Sequence, residues 1–343
     1  MKTNYFRKLI SLCLAAAMTA GALMMTACGG STSSTASETG SAAGETKTNV
    51  PVIGISQYAE HPSLNNCRTG FLQGLTDAGL KEGTDYTVEY QNAGGDNDTA
   101  TQIATTFASK NVALMVAIAT PAATACFAAS EDKNIPVVFT AITDPVKAKL
   151  DKGNITGTSD KLPVEAQLDM IRQIQPDAKT IGIVYTLSEP NSVSSIAEYQ
   201  EKAGNYGFTI EAVGVAEQSE VAQAVDTLIK KKVDCFSNLL DNNVVNVLAS
   251  TLEQTNEAGI PIYGSEIEQV KMGCVASEGI DYIALGRKTG QMAAKILRGE
   301  TKAEDMPYET ISEYGLYVNS KAMKEMNITL PEALSTKAED VAE

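Results

Sequence analysis

The amino-acid sequence predicts an α/β protein with two doubly wound domains, each built on a parallel sheet and joined to the other by a hinge. Runs of β-forming residues alternate with amphipathic helical patterns in the order β-α-β-α, and this order occurs twice. The fourth strand of each half begins alike, at Asn134-Ile135-Pro136-Val137 and Gly259-Ile260-Pro261-Ile262, which indicates a structural duplication. Residues 50–343 also exceed the usual size of one core. These observations favour two Rossmann-like sheets covered by helices.

Eight strands account for this rhythm. They fall at residues 52–56, 87–92, 113–119 and 137–142 in the first half, and at 181–186, 209–215, 234–240 and 262–265 in the second. The run over 113–119 is continuously apolar, which is typical of strands buried on both faces. In such sheets ligands bind outside the carboxyl ends of the strands, so we expect the ligand site in a cleft between the two sheets.

Three segments that contain glycine or short polar residues connect the halves and are candidate hinge crossings: 156–160, 279–281 and 312–314. A helix over 282–297 then returns to the first domain, and pieces at 316–318 and 322–326 finish near the second. We therefore predict one ligand-binding lobe from residues 50–157 plus 281–312, and another from residues 158–280 plus 313–343.

The N-terminal residues indicate export. Lys2, Arg7 and Lys8 precede an apolar run over 9–25, which is short for a membrane span and ends at small residues, as a signal peptide does. The tetrapeptide Met25-Thr26-Ala27-Cys28 resembles the lipobox of bacterial lipoproteins, which implies diacylglycerol on the sulfur of Cys28.

Residues 29–49 are rich in Gly, Ser, Thr, Ala and Glu and cannot bury enough apolar surface to fold. We therefore expect a signal peptide over 1–27 and a lipidated flexible tether over 28–49, which would hold the protein at the extracytoplasmic face of the cell membrane. The alternative is a buried N-terminal helix that ends in an incidental cysteine.

The charge of the chain argues against binding to nucleic acid. The formal net charge is −15, and removal of the signal peptide would make the mature chain more acidic still. The longest basic cluster, Lys230-Lys231-Lys232, ends a predicted helix and complements its dipole.

The cysteines and the histidine limit the chemistry. Apolar surroundings favour free, buried thiols at Cys67, Cys126, Cys235 and Cys274, although an exported protein could also pair them. The chain has a single histidine, His61, which excludes sites that need two or three imidazoles. We expect no metal and no cofactor.

Two predicted helix starts at strand ends are candidate anion sites. Thr120 as N-cap and Pro121 as the first helical residue would open a helix over 122–130, leaving backbone N–H groups for a carboxylate or a phosphate. Asn191 and Ser192 lie at a similar start in the other half. An ordinary helix cap is the alternative at each position.

Asp241 and Asn242 follow the strand predicted over 234–240. Asp241 could pair with an ammonium group, while Asn242 offers a neutral donor and acceptor. The alternative is again a helix cap, since Asp is favoured at helix starts. One carboxylate facing several N–H-rich helix starts is the layout expected for a zwitterion.

Further candidates follow other strands. Tyr58 suits stacking on a flat apolar ligand, whereas His61 could contact ligand or serve as a packed structural residue. The remaining polar or aromatic candidates near strand ends are Glu60, Thr140, Asp144, Glu266, Asp281 and Tyr282.

Several short segments together resemble one family, the substrate-binding lipoproteins of ABC importers. These segments are residues 55–57 with 60–62, 91–93, 117–123, 138–145, 191–192, 241–242, 285–287 and 293–297. The likeness runs from about residue 50 to residue 330. The resemblance implies a type I periplasmic-binding-protein-like fold, hinge closure on an aromatic amino acid such as tryptophan or tyrosine, and delivery to a permease with its ATPase.

The resemblance also implies roles for the candidates. Thr120 and the N–H groups after Pro121 would hold the ligand carboxylate with help from Asn191 and Ser192, and Asp241 would receive the ammonium. Tyr58, Thr140 and Tyr282 would shape the side-chain pocket, with Asp144 and Glu266 as polar lining. Glu60, His61 or Glu266 could pair with a tyrosine hydroxyl, and tryptophan would need an acceptor for its indole N–H, so both ligands stay open.

Two rivals are weighed against import. A ligand-sensing or adhesive surface lipoprotein could use the same fold. An exported hydrolase is less favoured, because the chain lacks G-x-S-x-G, H-E-x-x-H and P-loop motifs and has no evident nucleophile for His61. We expect a monomeric solute-binding protein that is not an enzyme.

Overall fold

The structure is a computed structural model that describes residues 50–311 and 313–342. The predicted signal peptide, Cys28 and the tether lie outside the described residues, as does Ser312 of the third predicted crossing. The described residues belong to one compact unit, Asn49–Glu343.

The described residues form strands and helices with the following bounds. The strands are β1 Val52–Gln57, β2 Thr87–Asn92, β3 Leu114–Ile118, β4 Val137–Thr140, β5 Ile155–Ser159, β6 Thr180–Thr186, β7 Thr209–Val215, β8 Cys235–Ser237, β9 Ile262–Tyr263, β10 Ala276–Gly279, β11 Glu309–Thr310, β12 Gly315–Val318 and β13 Ala338–Asp340. The helices are α1 Pro62–Asp77, α2 Asn97–Lys110, α3 Thr120–Ser130, α4 Val164–Ile174, α5 Pro190–Lys202, α6 Val221–Lys230, α7 Asn242–Asn246, α8 Leu248–Glu257, α9 Ile267–Met272, α10 Tyr282–Leu297, α11 Ser320–Glu325 and α12 Glu332–Ser335.

The strands form three sheets among the described residues. A parallel sheet has the order β11-β5-β4-β3-β1-β2, a second parallel sheet has the order β7-β6-β8-β9, and a mixed sheet has the order β10-β12-β13. We call the first sheet with α1–α3 and α10 the first lobe. The other two sheets with α4–α9, α11 and α12 are the second lobe. The α/β fold class is confirmed, while the predicted residue bounds of the two domains stay a prediction.

Apolar side chains cover both faces of the second-lobe sheet. Ile183 belongs to a cluster with Leu168 and Tyr199, whereas its neighbour Val184 belongs to a cluster with Val225. Successive residues of a strand point to opposite faces, so the two clusters lie on either side of the sheet. In the first lobe, one cluster joins the sheet to its helices and includes residues of α10.

The predicted strands all occur, with shifts at their ends. The strand predicted over 234–240 is only Cys235–Ser237, because the chain then leaves the sheet for a helix start capped by Asp241. The strand predicted over 262–265 ends at Tyr263, since the N–H of Ser265 donates to the side chain of Gln269. Most of the predicted crossing 156–160 lies in β5, a further strand of the first sheet.

Helix starts also differ from the sequence-based expectation. The prediction that Thr120 is an N-cap was wrong: Thr120 is the first residue of α3, and Ala119 holds the cap position. Proline occupies a first-turn position in α1 and in α5, where its missing N–H would have no partner within the helix. The return helix over 282–297 is confirmed.

Glycines bring α10 against α1 at backbone contact. A Cβ atom added at Gly74 would lie 2.1 Å from the carbonyl oxygen of Arg287, and one added at Gly290 would lie 2.1 Å from that of Phe71. Gly70 and Gly286 make equally close approaches. Only glycine permits this helix packing, which fastens the chain returning from the second lobe to the first.

Cys67, Cys126, Cys235 and Cys274 are free and buried, which confirms the interpretation as unpaired thiols. Burial raises the pKa of all four, and that of Cys126 to about 12. Within residues 50–311 and 313–342, no helix has the length and apolar character needed to cross a membrane.

Candidate functional site

A cavity lies between the two lobes, where strands of both parallel sheets end. It has about 310 Å³ of space free of protein atoms when its open mouth is included, and little of this space is wide enough to admit water. The lobes therefore leave a narrow space in this arrangement. The lining residues are His61, Ser63, Leu64, Ala119, Ala141, Asp160, Asn191, Leu240, Asp241, Asn242, Val245, Gln269 and Tyr282.

The first lobe presents strained backbone to the cavity. Ala119 follows β3 with φ 78° and ψ 155°, and Ala141 follows β4 with φ 60°. Residues without glycine's freedom rarely adopt such positive φ values, and the strain clusters at functional sites. Next to Ala119, the hydroxyl of Thr120 is buried without a hydrogen-bond partner.

Asp241 borders the cavity, but its carboxylate is largely engaged by the second lobe. Oδ1 accepts from the hydroxyl of Thr186 at 2.8 Å and from the N–H of Val244 at 3.0 Å, and Oδ2 accepts from the N–H of Thr186 at 2.6 Å. Oδ2 thus keeps room for one more donor. Asp241 is both the helix cap and a candidate ligand residue, two readings that the sequence treated as alternatives.

Glu189 is a buried carboxylate that the sequence-based list of ligand residues missed. It accepts from the Nδ2 atoms of Asn191 at 2.9 Å and Asn242 at 2.7 Å, and from the backbone N–H groups of Asn242 at 3.1 Å and Asn243 at 3.3 Å. Burial and the nearby charge of Asp241 raise its pKa. Three of these donors meet Oε2, so Oε2 is an unprotonated acceptor even when the carboxyl group binds a proton on Oε1.

Asp160 is a second carboxylate missed as a ligand residue, although it ends a predicted crossing. Its Oδ2 accepts from the hydroxyl of Tyr282 at 2.6 Å, and its Oδ1 accepts from the hydroxyl of Thr143 at 3.0 Å. Burial raises the pKa of Asp160 and, with the charge of Asp160, that of Tyr282. The end of the crossing predicted over 156–160 thus meets the start of α10 at the cavity wall.

His61 occupies the N-cap position of α1, although its side chain makes no capping hydrogen bond, and it borders the cavity. Its Nε2 lies 3.4 Å from Oδ1 of Asn242 in the other lobe, while its Nδ1 is buried without a partner. Burial lowers the pKa of His61 to about 4, so the ring is neutral at physiological pH.

Of the candidates from the sequence, the structure brings five to the cavity wall: His61, Asn191, Asp241, Asn242 and Tyr282. Ser192 is buried beside Asn191 and accepts a long hydrogen bond from it. Tyr58 is buried and donates its hydroxyl to the carbonyl of Gly95.

The other candidates do not border the cavity. Thr140 is buried in the first lobe, with its hydroxyl against Sγ of Cys67, and Glu60 is exposed. Asp281 caps α10 and is exposed, and Pro121 lines a separate depression between α2 and α5. Ligand roles for these residues stay predictions.

Two candidates connect the lobes instead. Asp144 of the first lobe accepts from the hydroxyl of Ser194 at 2.6 Å. Glu266 caps α9 and accepts from the hydroxyl of Ser63 at 3.0 Å, and burial raises the pKa of Glu266 to about 7. Both contacts form across the edge of the cleft, where they favour the arrangement with the lobes together.

Buried carboxyl groups surround the cavity without matching cations. Within the described residues, no lysine or arginine forms an ion pair with any of them: Asp160, Glu189, Asp241 and Glu266. Their oxygen atoms supply hydrogen-bond acceptors that no cation of the protein occupies, which suits a ligand with a positive group. The described residues contain no group of three or more His, Cys, Asp and Glu that could hold a metal ion.

Comparison with known proteins identifies the family. The family model described as ABC transporter substrate binding protein matches residues 52–342. The chain belongs to this family. Because proteins of this family bind solutes rather than convert them, the expectation that the chain is not an enzyme is confirmed, as is the resemblance on which it rested.

Relatives of this substrate-binding protein are also similar over most of their length. A protein of Clostridioides difficile named tyrosine-binding protein is 35% identical over 328 residues, covering 94% of this chain and 93% of the relative. The solved structure of an ABC domain from Streptococcus pneumonia in complex with L-Trp is 32% identical, with a TM-score of 0.81 and coverage of 84% of this chain and 99% of that one.

A third relative shows a different lobe arrangement. It is the ligand-free, open structure of a substrate-binding protein with adhesive properties from Clostridium difficile, 36% identical, with coverage of 85% of this chain and 99% of that one. Its TM-score is only 0.64, although its identity exceeds that of the L-Trp complex. The lobes of this substrate-binding protein are therefore arranged more like those of the complex, which agrees with its narrow cavity.

Proposed function

We propose that this substrate-binding protein captures an aromatic amino acid, tyrosine or tryptophan, between its lobes and delivers it to the permease and ATPase of an ABC importer. The observation that carries the proposal is a narrow cavity at the carboxyl ends of both sheets, lined by carboxylate and amide acceptors together with apolar side chains. The relatives named for tyrosine and solved with L-Trp support the ligand class.

The ammonium group of the ligand would bind between carboxylates. Asp160 and Asp241 both border the cavity, and each keeps room for a further donor after its contacts within the protein. Asn191 adds an acceptor, because its Oδ1 is buried without a partner. Three acceptors match the three hydrogens of an ammonium group.

The ligand carboxylate would bind at the start of α3. The hydroxyl of Thr120 is an unpaired donor there, and the first N–H groups of a helix attract an anion. The aromatic side chain would then lie against Leu64, Leu240 and Val245, which supply apolar surface to the same cavity.

A binding screen tests the proposal. Purified protein beginning at residue 50 is expected to be a monomer and to bind one tyrosine or tryptophan, with a raised melting temperature, because a ligand that binds only the folded state stabilises it. No shift with tyrosine, tryptophan or phenylalanine would reject the ligand class. A shift with nucleosides or sugars alone would redirect it.

The lipid anchor is a separate part of the proposal. The full chain is expected to incorporate labelled fatty acid and to sediment with membranes, and Cys28→Ala is expected to abolish both, since the lipobox-like tetrapeptide ends at that sulfur. An unlabelled wild-type chain would contradict anchoring. Adhesion, described for the open Clostridium difficile relative, makes no use of a solute cavity between the lobes, so import is the favoured role.

A further inference from the structure

The orientation of the Asn242 side chain is fixed by Glu189. Nδ2 of Asn242 lies 2.7 Å from Oε2 of Glu189. The reverse amide orientation would set a carbonyl oxygen against a carboxylate oxygen at this distance, which is repulsive because both are acceptors. Oδ1 of Asn242 must therefore point the other way.

This orientation in turn fixes the tautomer of His61. Oδ1 of Asn242 is the atom that lies 3.4 Å from Nε2 of His61, and an amide oxygen can only accept. Nε2 therefore carries the ring hydrogen. The neutral ring then has a bare lone pair on Nδ1, the atom that is buried and has no partner in the protein.

We propose that Glu189, Asn242 and His61 act as a relay that holds Nδ1 of His61 as a hydrogen-bond acceptor for the ligand side chain. The site then selects amino acids whose ring carries an O–H or N–H donor, tyrosine or tryptophan, against phenylalanine. This inference rests on the proposed function and adds the basis of its selectivity. His61 contacts the ligand, whereas Glu189 and Asn242 are positioning residues.

The other acceptors suggested by the sequence do not fill this role. Glu60 is exposed and does not border the cavity. Glu266 is already held by the hydroxyl of Ser63 and by the backbone N–H groups of two residues of α9. The bare Oδ1 of Asn191 lies in the second lobe, as Asp241 does, and serves the ammonium group instead.

The relay makes ligand selection depend on the closed arrangement of the two lobes. His61 follows β1 in the first lobe, and Asn242 begins α7 in the second, so their contact exists only while the lobes are together. A ligand that lacks a side-chain donor leaves Nδ1 unpaired in the closed site, so it binds more weakly than a ligand that donates to this atom.

The single histidine of the chain permits a direct test. In protein labelled with ¹⁵N-histidine and saturated with tyrosine, we expect the spectrum of one ring with hydrogen on Nε2 and none on Nδ1. Exchange of tyrosine for phenylalanine is expected to move the Nδ1 resonance toward that of a nitrogen without a hydrogen-bond partner. Hydrogen on Nδ1 in the tyrosine complex would overturn the relay.

Calorimetry tests selection. Wild-type protein is expected to bind tyrosine at least about tenfold more tightly than phenylalanine, the effect of one buried hydrogen bond, and His61→Leu is expected to remove that preference. Asn191→Ser should weaken both ligands alike, and Glu325→Gln, at an exposed position in α11, should change neither. A preference that survives His61→Leu would overturn the inference.

A positioning variant tests the relay itself. Glutamine at position 189 can donate to Oδ1 of Asn242, which frees the amide to turn its Nδ2 toward His61, so Glu189→Gln is expected to move the ring hydrogen to Nδ1 and to lower the preference for tyrosine. An unchanged tautomer would contradict the relay, and if this variant does not fold, the wild-type tautomer decides.

The two levels of the proposal fail differently. Equal binding of tyrosine and phenylalanine by wild-type protein would overturn the selection and leave the proposed function standing. Absence of binding by tyrosine, tryptophan and phenylalanine would overturn both.

Discussion

The two lobes meet the cavity with different chemistry. The first lobe contributes backbone with positive φ at Ala119 and Ala141, the neutral ring of His61, and the hydrogen-bonded pair of Asp160 and Tyr282. The second lobe contributes two amides and a carboxylate at Asn191, Asn242 and Asp241. The halves nevertheless begin their fourth strands alike. The difference teaches that the strands preserve the shared architecture, while the residues after the strands diverge to hold opposite sides of one ligand.

The first lobe also differs in the close packing of α10 against α1. The largest predicted effect on stability comes from disrupting this packing. Gly74→Ala is expected to lower the free energy of unfolding by about 3 kcal/mol or more, because its Cβ would overlap backbone of α10 that cannot move aside. The Cβ would lie 2.1 Å from the carbonyl oxygen of Arg287.

Urea unfolding measures this loss, and Gly204→Ala in the second lobe is the control. Nothing lies within 4 Å of a Cβ at Gly204, and the residue is exposed, so the control is expected to change stability by less than about 0.5 kcal/mol. Equal urea midpoints for the two variants would contradict the prediction, since they would show that α1 and α10 can move apart without a loss in the free energy of unfolding.

The next prediction concerns the first lobe alone: the buried His61 makes the free energy of unfolding depend on pH. The pKa of His61 is about 4 in the folded protein against an ordinary value of 6.5, so between these values the unfolded chain binds a proton that the folded chain does not. Acidification from pH 6.5 to pH 4 therefore destabilises the wild type through this group. At about 1.4 kcal/mol per pKa unit the loss approaches about 3 kcal/mol.

His61→Gln removes this titration, so its unfolding free energy should fall less than that of the wild type over the same pH range. Chemical unfolding at a series of pH values gives the comparison. The exposed neighbour variant Glu60→Gln should follow the wild type. Parallel curves for wild type and His61→Gln would contradict the buried, neutral ring.

A substitution at Asp241 removes hydrogen bonds at the carboxyl end of the second-lobe strands. Asp241→Ala strands the N–H groups of Thr186 and Val244, and we expect a loss of about 2 kcal/mol in stability together with weaker ligand binding. The role of Asp241 as a helix cap thus adds a stability cost to the loss of ligand binding.

Asp234→Ala is the matched control at the other end of the same strands. Asp234 also accepts from two backbone N–H groups and one hydroxyl, those of Lys179 and Thr180, but it is exposed and far along the strand from the cavity. Its loss should lower stability and leave tyrosine affinity unchanged. Reduced affinity in this variant would show that binding follows stability rather than the cavity chemistry.

The smallest effect concerns the contact that joins the lobes at the edge of the cleft. The hydroxyl of Ser194 donates to Asp144 at 2.6 Å between partly buried side chains. In a double-mutant cycle, Asp144→Ala and Ser194→Ala are expected to show a coupling of about 0.5–1 kcal/mol in ligand affinity. A coupling of zero would remove this contact from the closed state.

Sequence patterns were sufficient to predict the architecture of the fold. The alternation of strands and helices is a local signal, and Pro136 and Pro261 mark strand starts because they cannot donate to a sheet. The fold class and the return helix could therefore be predicted. The mixed sheet of β10, β12 and β13 was missed, since its pairings join distant and very short segments.

The site was less predictable because many polar residues at strand ends serve the backbone. Asp281 and Glu266 are N-caps, and nothing in their local sequence separates that role from ligand binding. Asp160 carried a usable signal, its position at a predicted crossing. Glu189 stood before Pro190 at a helix start, but its bonds to Asn242 span 53 positions and only the fold brings them together.

The buried thiols carry a practical consequence. Four cysteines sit in the two lobes, each sealed from solvent and held in the protonated, unreactive form by its surroundings. Outside the cytoplasm, where the proposed anchor would place the protein, oxidants would reach these sulfurs only when a lobe opens. The rate at which an alkylating reagent modifies these thiols therefore reports the rate of opening, and a bound ligand should lower that rate.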